Sequence, residues 1–219
     1  ELCRTAAQNL DDNFDDPARS ANAWRRILDF APLDLGALTA LKKLYAQLER
    51  RDDQLAVMEQ EIRALDEGEE RVARALELAS LWMEAEVPKA ATAVYEVVLS
   101  WEPTNRDALD RLLEIYVAND QLGKALGLLE WVGLREEATE DRVRNLRRTL
   151  ELLPEEDHKG RFYLLRRILL LGGDQREVLD ELKAEADAAE LWGEMPAVLS
   201  LLVARAEDAD ARLELQQEM

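Results

Sequence analysis

The chain holds one histidine, His158, and one cysteine, Cys3, so a Ser-His-Asp or Cys-His arrangement has only a single imidazole to pass through. His158 stands in the stretch PEEDHKG, which reads as a turn between helices and makes it a solvated loop residue. Paired acids such as Asp15 with Asp16 and Glu155 with Glu156 could share a proton, but acids side by side on a polar turn serve helix starts. The segment DDNFDDP at 11–17 has the acid density of a calcium loop without its central glycine or its closing bidentate glutamate. LGGDQRE at 171–177 lacks the Gly-Lys-Ser or Gly-Lys-Thr of a phosphate loop. A lone cysteine excludes an intramolecular disulfide and a cysteine-rich zinc site. These residues predict no catalysis, no cofactor and no metal.

The elements that carry them are helices. Of the 219 residues 47% are hydrophobic, with only 9 Gly and 6 Pro, and no alternating β-branched run is bounded by tight-turn pairs. The expectation is an all-α chain. No run of about 18 apolar residues exists, so no membrane span is expected. ELCRTAAQNLDDNF has no apolar signal core, and a cytoplasmic location is the expectation. A formal charge of −19 repels a phosphate backbone, which argues against nucleic acid as a partner. The charge is uneven: residues 52–70 carry −7 and residues 174–219 carry −9, whereas residues 142–167 carry +4. That basic segment reads either as a solvated face of helix-helix ion pairs or as a dock for an acidic protein segment. In the second reading Arg144, Arg147 and Arg148 lie together on a helix over about 141–153, extended by Arg166 and Arg167.

The decisive pattern is a repeat with a period of 71 residues. Residues 17–59 laid over 88–130 without a gap pair Pro17 with Pro88, Trp24 with Tyr95, Leu28 with Leu99 and Pro32 with Pro103. The register continues through Ala37 and Ala108, Leu38 and Leu109, Leu41 and Leu112, Tyr45 and Tyr116, and Leu55 and Leu126. A worn third copy repeats RRIL of 25–28 at 166–169 and sets Val178, Leu179 and Leu182 where Ala37, Leu38 and Leu41 stood. Each period holds two helical hairpins, and Trp24, Trp82 and Trp101 fall at recurring large positions that mark packing residues. Trp131 and Trp192 are less constrained.

Within these hairpins a large residue, then leucine, a small residue, an aromatic, alanine nine further on and a closing proline make a recognisable order. Residues 72–103 follow it at Leu78, Ala79, Trp82, Ala91, Tyr95 and Pro103, and residues 106–132 at Leu109, Leu112, Tyr116, Ala125 and Leu129. The chain resembles the tetratricopeptide family over about residues 17–202. Lys42 and Leu113 replace the small residue, and the hairpin from Val143 lacks both the small residue and the aromatic. The resemblance implies a right-handed α-solenoid of about twelve to thirteen stacked helices. Both ends break off inside a helix of the pattern, so residues 1–219 are expected to be one helical-repeat domain cut from a longer array.

The same resemblance implies a scaffold that binds a partner peptide, helix or domain along a groove lined by the first helix of each hairpin. By position the groove residues are Thr39 and Lys43, then Leu76, Ser80 and Met83, then Asp110, Glu114 and Val117, then Arg147 and Glu151. Ser80 and Glu114 stand at the asparagine places of the carboxylate-clamp variety, so the resemblance does not support that mode of chaperone-tail binding. The alternatives are an RNA-binding helical repeat, an accessory region of a larger enzyme, or a self-assembling protein joined through its cut ends.

Overall fold

A computed structural model describes residues 4–5, 7–9, 16–172, 175–205, 212–213 and 215–216. Cys3, Gly173, Asp174 and most of the acidic stretch at 11–17 lie outside the described residues. The elements are α1 (Pro17–Leu28), α2 (Leu35–Gln47), α3 (Arg51–Ala64), α4 (Glu69–Glu84), α5 (Pro88–Trp101), α6 (Arg106–Ala118), α7 (Leu122–Gly133), α8 (Thr139–Leu152), α9 (His158–Leu171), α10 (Gln175–Ala188), a 3-10 turn (Trp192–Glu194) and α11 (Met195–Arg205). No strand occurs among the described residues, and none of their helices is long and apolar enough to cross a membrane. The chain divides into two compact units, Glu1–Ile115 and Tyr116–Met219.

Helix starts follow local chemistry. Asp16 accepts from the Arg19 N–H at 3.1 Å ahead of Pro17, and Asp34 accepts from the Ala37 N–H at 2.9 Å. Pro88 opens α5 at a position where its missing N–H costs nothing. Within the first unit α1 to α5 each pack on the next in sequence, and α7 to α10 do so within the second.

The repeat register is the core register. Ala37, Leu38, Leu41 and Tyr45 are buried, and so are Ala108, Leu109, Leu112 and Tyr116, their counterparts 71 residues on. Val178, Leu179 and Leu182 of the worn copy are buried as well. The paired positions diverge at Leu55, which is buried, and Leu126, which is half-buried. Alanines let helices approach where large residues then fill the neighbouring holes: Ala79, Ala91 and Ala125 are fully buried beside Leu78, Tyr95 and Leu129. Trp24 is buried as expected. Trp101 is half-buried, with the Arg71 guanidinium 4.2 Å from its ring centroid.

Four helices end in the same corner, which sequence patterns did not reveal. Glu49, Glu86, Asp120 and Glu190, each two residues past the end of α2, α4, α6 and α10, have φ of 55°, 58°, 55° and 57°. At each corner the following N–H donates five residues back, from Arg50 to Tyr45 at 2.9 Å, Val87 to Trp82 at 3.0 Å, Gln121 to Tyr116 at 2.8 Å and Leu191 to Ala186 at 2.8 Å. This closes the last turn of each helix as a left-handed cap usually built with glycine. The end of α8 differs, because Leu153 is extended ahead of Pro154.

Two stability outcomes follow from these elements. Ala91→Leu overpacks the α4 and α5 seam and lowers stability by about 1–3 kcal/mol in urea unfolding. The Asp34 carboxyl is held below its usual value of 3.8, first by the Ala37 N–H and further by Arg4, against an opposing effect of burial. Its folded-state pKa is therefore the lower one, so its contribution is present above the unfolded value and fades as pH falls through the folded one. Asp34→Ala costs about 1 kcal/mol at pH 7 and far less at pH 2, read by unfolding at the two pH values.

Candidate functional site

In the first unit, four of the residues placed in the groove by the repeat register line one cleft. Leu76, Glu77 and Ser80 of α4, Tyr95 of α5, and Asp107, Asp110, Arg111 and Glu114 of α6 enclose about 470 Å³. Helical geometry explains the grouping: Leu76 and Ser80 are four apart, and Asp107, Asp110, Arg111 and Glu114 follow at spacings of three and four. Four carboxylates meet one guanidinium here. Arg111 Nη1 reaches Glu114 Oε2 at 2.9 Å, and Arg74 Nη1 reaches Glu77 Oε2 at 3.0 Å. Each hydrogen-bonded carboxylate holds its arginine above the ordinary guanidinium value. Met83, on the same helix as Ser80, is exposed.

Thr39 and Lys43 of α2 are both exposed, outside that cleft. The Thr39 hydroxyl donates to Glu61 Oε1 at 3.1 Å, and Lys42 Nζ donates to Glu61 Oε2 at 2.9 Å. Glu61 is only 3% exposed. The lysine that replaces the small residue of the pattern is thus the cation that a buried carboxylate on α3 requires.

In the second unit Val117 and Glu151 are exposed, while Arg147 is half-buried and donates from Nη1 to both oxygens of Glu181 at 2.8 Å. The basic segment is largely engaged. Arg144 pairs with Asp141 at 2.8 Å and Arg166 with Glu194 at 3.1 Å, and Arg148 is half-buried with a partner of its own. Arg167 is exposed and opens onto a second cleft.

That second cleft encloses about 820 Å³ and was not foreseen. It is lined by α7, α8 and α9, with Leu126, Leu146, Leu164 and Leu170 among the lining residues. It lies where the repeat departs from pattern, since α8 buries only Asn145 and Leu150 and so leaves volume between its neighbours. The glycines of QLGKALG were the available signal.

His158 is corrected from a loop residue to the first residue of α9. Asp157 caps the helix by accepting from the Gly160 N–H at 3.0 Å, in a space where a Cβ on residue 160 would lie 2.3 Å from the Asp157 carboxylate. His158 Nδ1 stands 2.8 Å from Glu185 Oε2, and Arg161 Nε donates to Glu185 Oε1 at 2.6 Å. An ionised glutamate only accepts, so Nδ1 carries the proton and the imidazole ties α9 to α10. Among the described residues no group of three or more His, Cys, Asp or Glu is arranged to hold a metal ion.

Stacked hairpins, small residues at helix contacts and buried aromatics at the recurring positions define a tetratricopeptide-like repeat fold. No family model matches the chain, and no curated protein matches it. Among solved structures it is similar to YrrB, described as a TPR protein with an unusual peptide-binding site, at 14% identity over 81% of this chain and 88% of that one, with a TM-score of 0.39. It is similar to MamA residues 41 to the end from Desulfovibrio magneticus RS-1, at 14% identity over 87% and 95%, with a TM-score of 0.38. Yeast Tom70 is a third, at 13% identity over 96% of this chain and 44% of that one, with a TM-score of 0.40.

The Lys42 and Glu61 pair yields a direct test. Lys42→Met leaves a buried carboxylate without its cation and costs about 3 kcal/mol in urea unfolding. The double change Lys42→Met with Glu61→Leu recovers most of that loss.

Proposed function

We propose that this chain is a non-enzymatic protein-interaction scaffold whose first unit receives a cationic peptide segment. The observation that carries the reading is the gathering of Leu76, Ser80, Asp110 and Glu114 in one cleft. Glu77, Asp107, Asp110 and Glu114 outnumber Arg111 there, and a net charge of −19 draws a Lys- or Arg-bearing segment toward the surface while repelling RNA. Leu76 gives such a segment an apolar contact beneath its charges. The recurrence of the 71-residue period supports treating residues 1–219 as one repeat domain.

The test is a fluorescence-anisotropy titration of labelled decapeptides rich in Lys and Leu. Asp110→Lys with Glu114→Lys is expected to weaken their binding by about ten-fold at low salt and to flatten its salt dependence. His158→Ala is expected to leave binding unchanged. Equal affinity for wild-type and charge-reversed protein would remove the cleft from the reading.

A further inference from the structure

We propose that the cation received by the first-unit cleft is a lysine ammonium, and that the Tyr95 hydroxyl selects it over arginine. This rests on the reading of that cleft as the site for a cationic segment. Tyr95 is the aromatic residue of the lining, and its ring is buried in the seam of α4 and α5. Packing there requires only a ring, since the same repeat position holds Trp24 71 residues earlier. The hydroxyl is not a demand of the core.

That hydroxyl is unpaired and still within reach. Tyr95 is 2% exposed, and its oxygen has no hydrogen-bond partner among the described residues. The side-chain nitrogen and oxygen atoms among them that are both unpaired and sealed from solvent are Arg71 Nε and Asn145 Oδ1, and Tyr95 Oη is not one of these. The small part of Tyr95 left open therefore includes its oxygen, and the cleft is the space it lines. Arg111, the cation of the lining, interacts with Tyr95 electrostatically but gives its hydrogen bond to Glu114 at 2.9 Å. A phenol oxygen accepts as well as donates, so this one is free to take a donor from outside the fold.

The size of the opening decides which donor. It admits a group about as large as a water molecule, which describes an ammonium on a slim aliphatic stem and not a planar guanidinium. An ammonium also takes its acceptors from separate directions, and three helices supply them: Ser80 on α4, Tyr95 on α5, and Asp107 and Asp110 on α6. A guanidinium does best with both oxygens of one carboxylate or with the face of a ring. The Tyr95 ring is buried, and Glu77 and Glu114 each already commit an oxygen to an arginine of their own helix. Asp107, exposed and without an ion pair among the described residues, supplies countercharge. Leu76, half-buried in the same lining, covers the aliphatic stem.

The experiment titrates three labelled decapeptides by fluorescence anisotropy, identical in their leucines and carrying lysine, arginine or Nε-trimethyllysine at every cationic position. Wild-type protein is expected to bind the lysine peptide about ten-fold more tightly than the arginine peptide. Tyr95→Phe keeps the ring, so it is expected to melt as wild type does, to lose about ten-fold for lysine and to bind arginine unchanged. Trimethyllysine keeps the charge without an N–H, so its peptide is expected to bind wild type about ten-fold more weakly than lysine, a comparison that needs no variant. Equal binding of lysine and arginine, equal binding of lysine and trimethyllysine, or a lysine preference that survives Tyr95→Phe would each overturn the selection by Tyr95. The cleft itself would stand in those cases if Asp110→Lys with Glu114→Lys still weakened the peptides. Peptides that fail to bind wild type, or that bind this charge-reversed protein equally well, would overturn the cleft and the selection together.

Discussion

Helix-to-helix contact at alanine sets the spacing on which the rest of the structure depends. Where Ala37, Ala79, Ala91, Ala108 and Ala125 are buried without remainder, backbones approach closely and the aromatics Tyr45, Tyr95 and Tyr116 find bounded holes. The exposed faces are a consequence, since a helix fixed on one side presents its remaining positions at a fixed angle. The cleft at Leu76 and Asp110 exists because Ala75, Ala79 and Ala108 are pinned behind it. Where the small residue is missing, as in α8, which buries only Asn145 and Leu150, a larger, less polar hollow is found.

Much of the charge on the surface is engaged within the fold. Arg147 to Glu181, Arg166 to Glu194 and Arg161 to Glu185 tie α8 and α9 to the elements that follow them. A segment that carries +4 in sequence therefore presents far less positive charge than its arginine count suggests. Most of these pairs are partly exposed and contribute modestly one by one, so they define register more than stability. Lys42 and Glu61 are the exception, because both are withdrawn from water.

The helices, the repeat period and the buried face were legible in sequence because apolar spacing encodes them directly: Leu38, Leu41 and Tyr45 and their counterparts fall where a helix must face its neighbours. The grouping of Ser80 with Asp110 was legible for the same reason, as both follow from register alone. What escaped depends on distant partners. Lys42 looks like a flaw in the pattern until Glu61 stands beside it, and His158 looks like a loop residue until Asp157 caps the helix and Glu185 takes its proton donor. An open space over Gly127 is the absence of a neighbour, which no local spacing encodes.

The left-handed corners at Glu49, Glu86, Asp120 and Glu190 separate two kinds of inheritance in this chain. Each is made by backbone hydrogen bonds to the helix it ends, and each side chain stands in solvent. A change there alters how readily one hairpin forms without touching the seam that spaces the helices or the residues that line either cleft. Substitution to glycine or asparagine suits the backbone already present. Drift at the corners can therefore offset losses incurred while the cleft linings change, so that cleft chemistry and durability evolve on different residues.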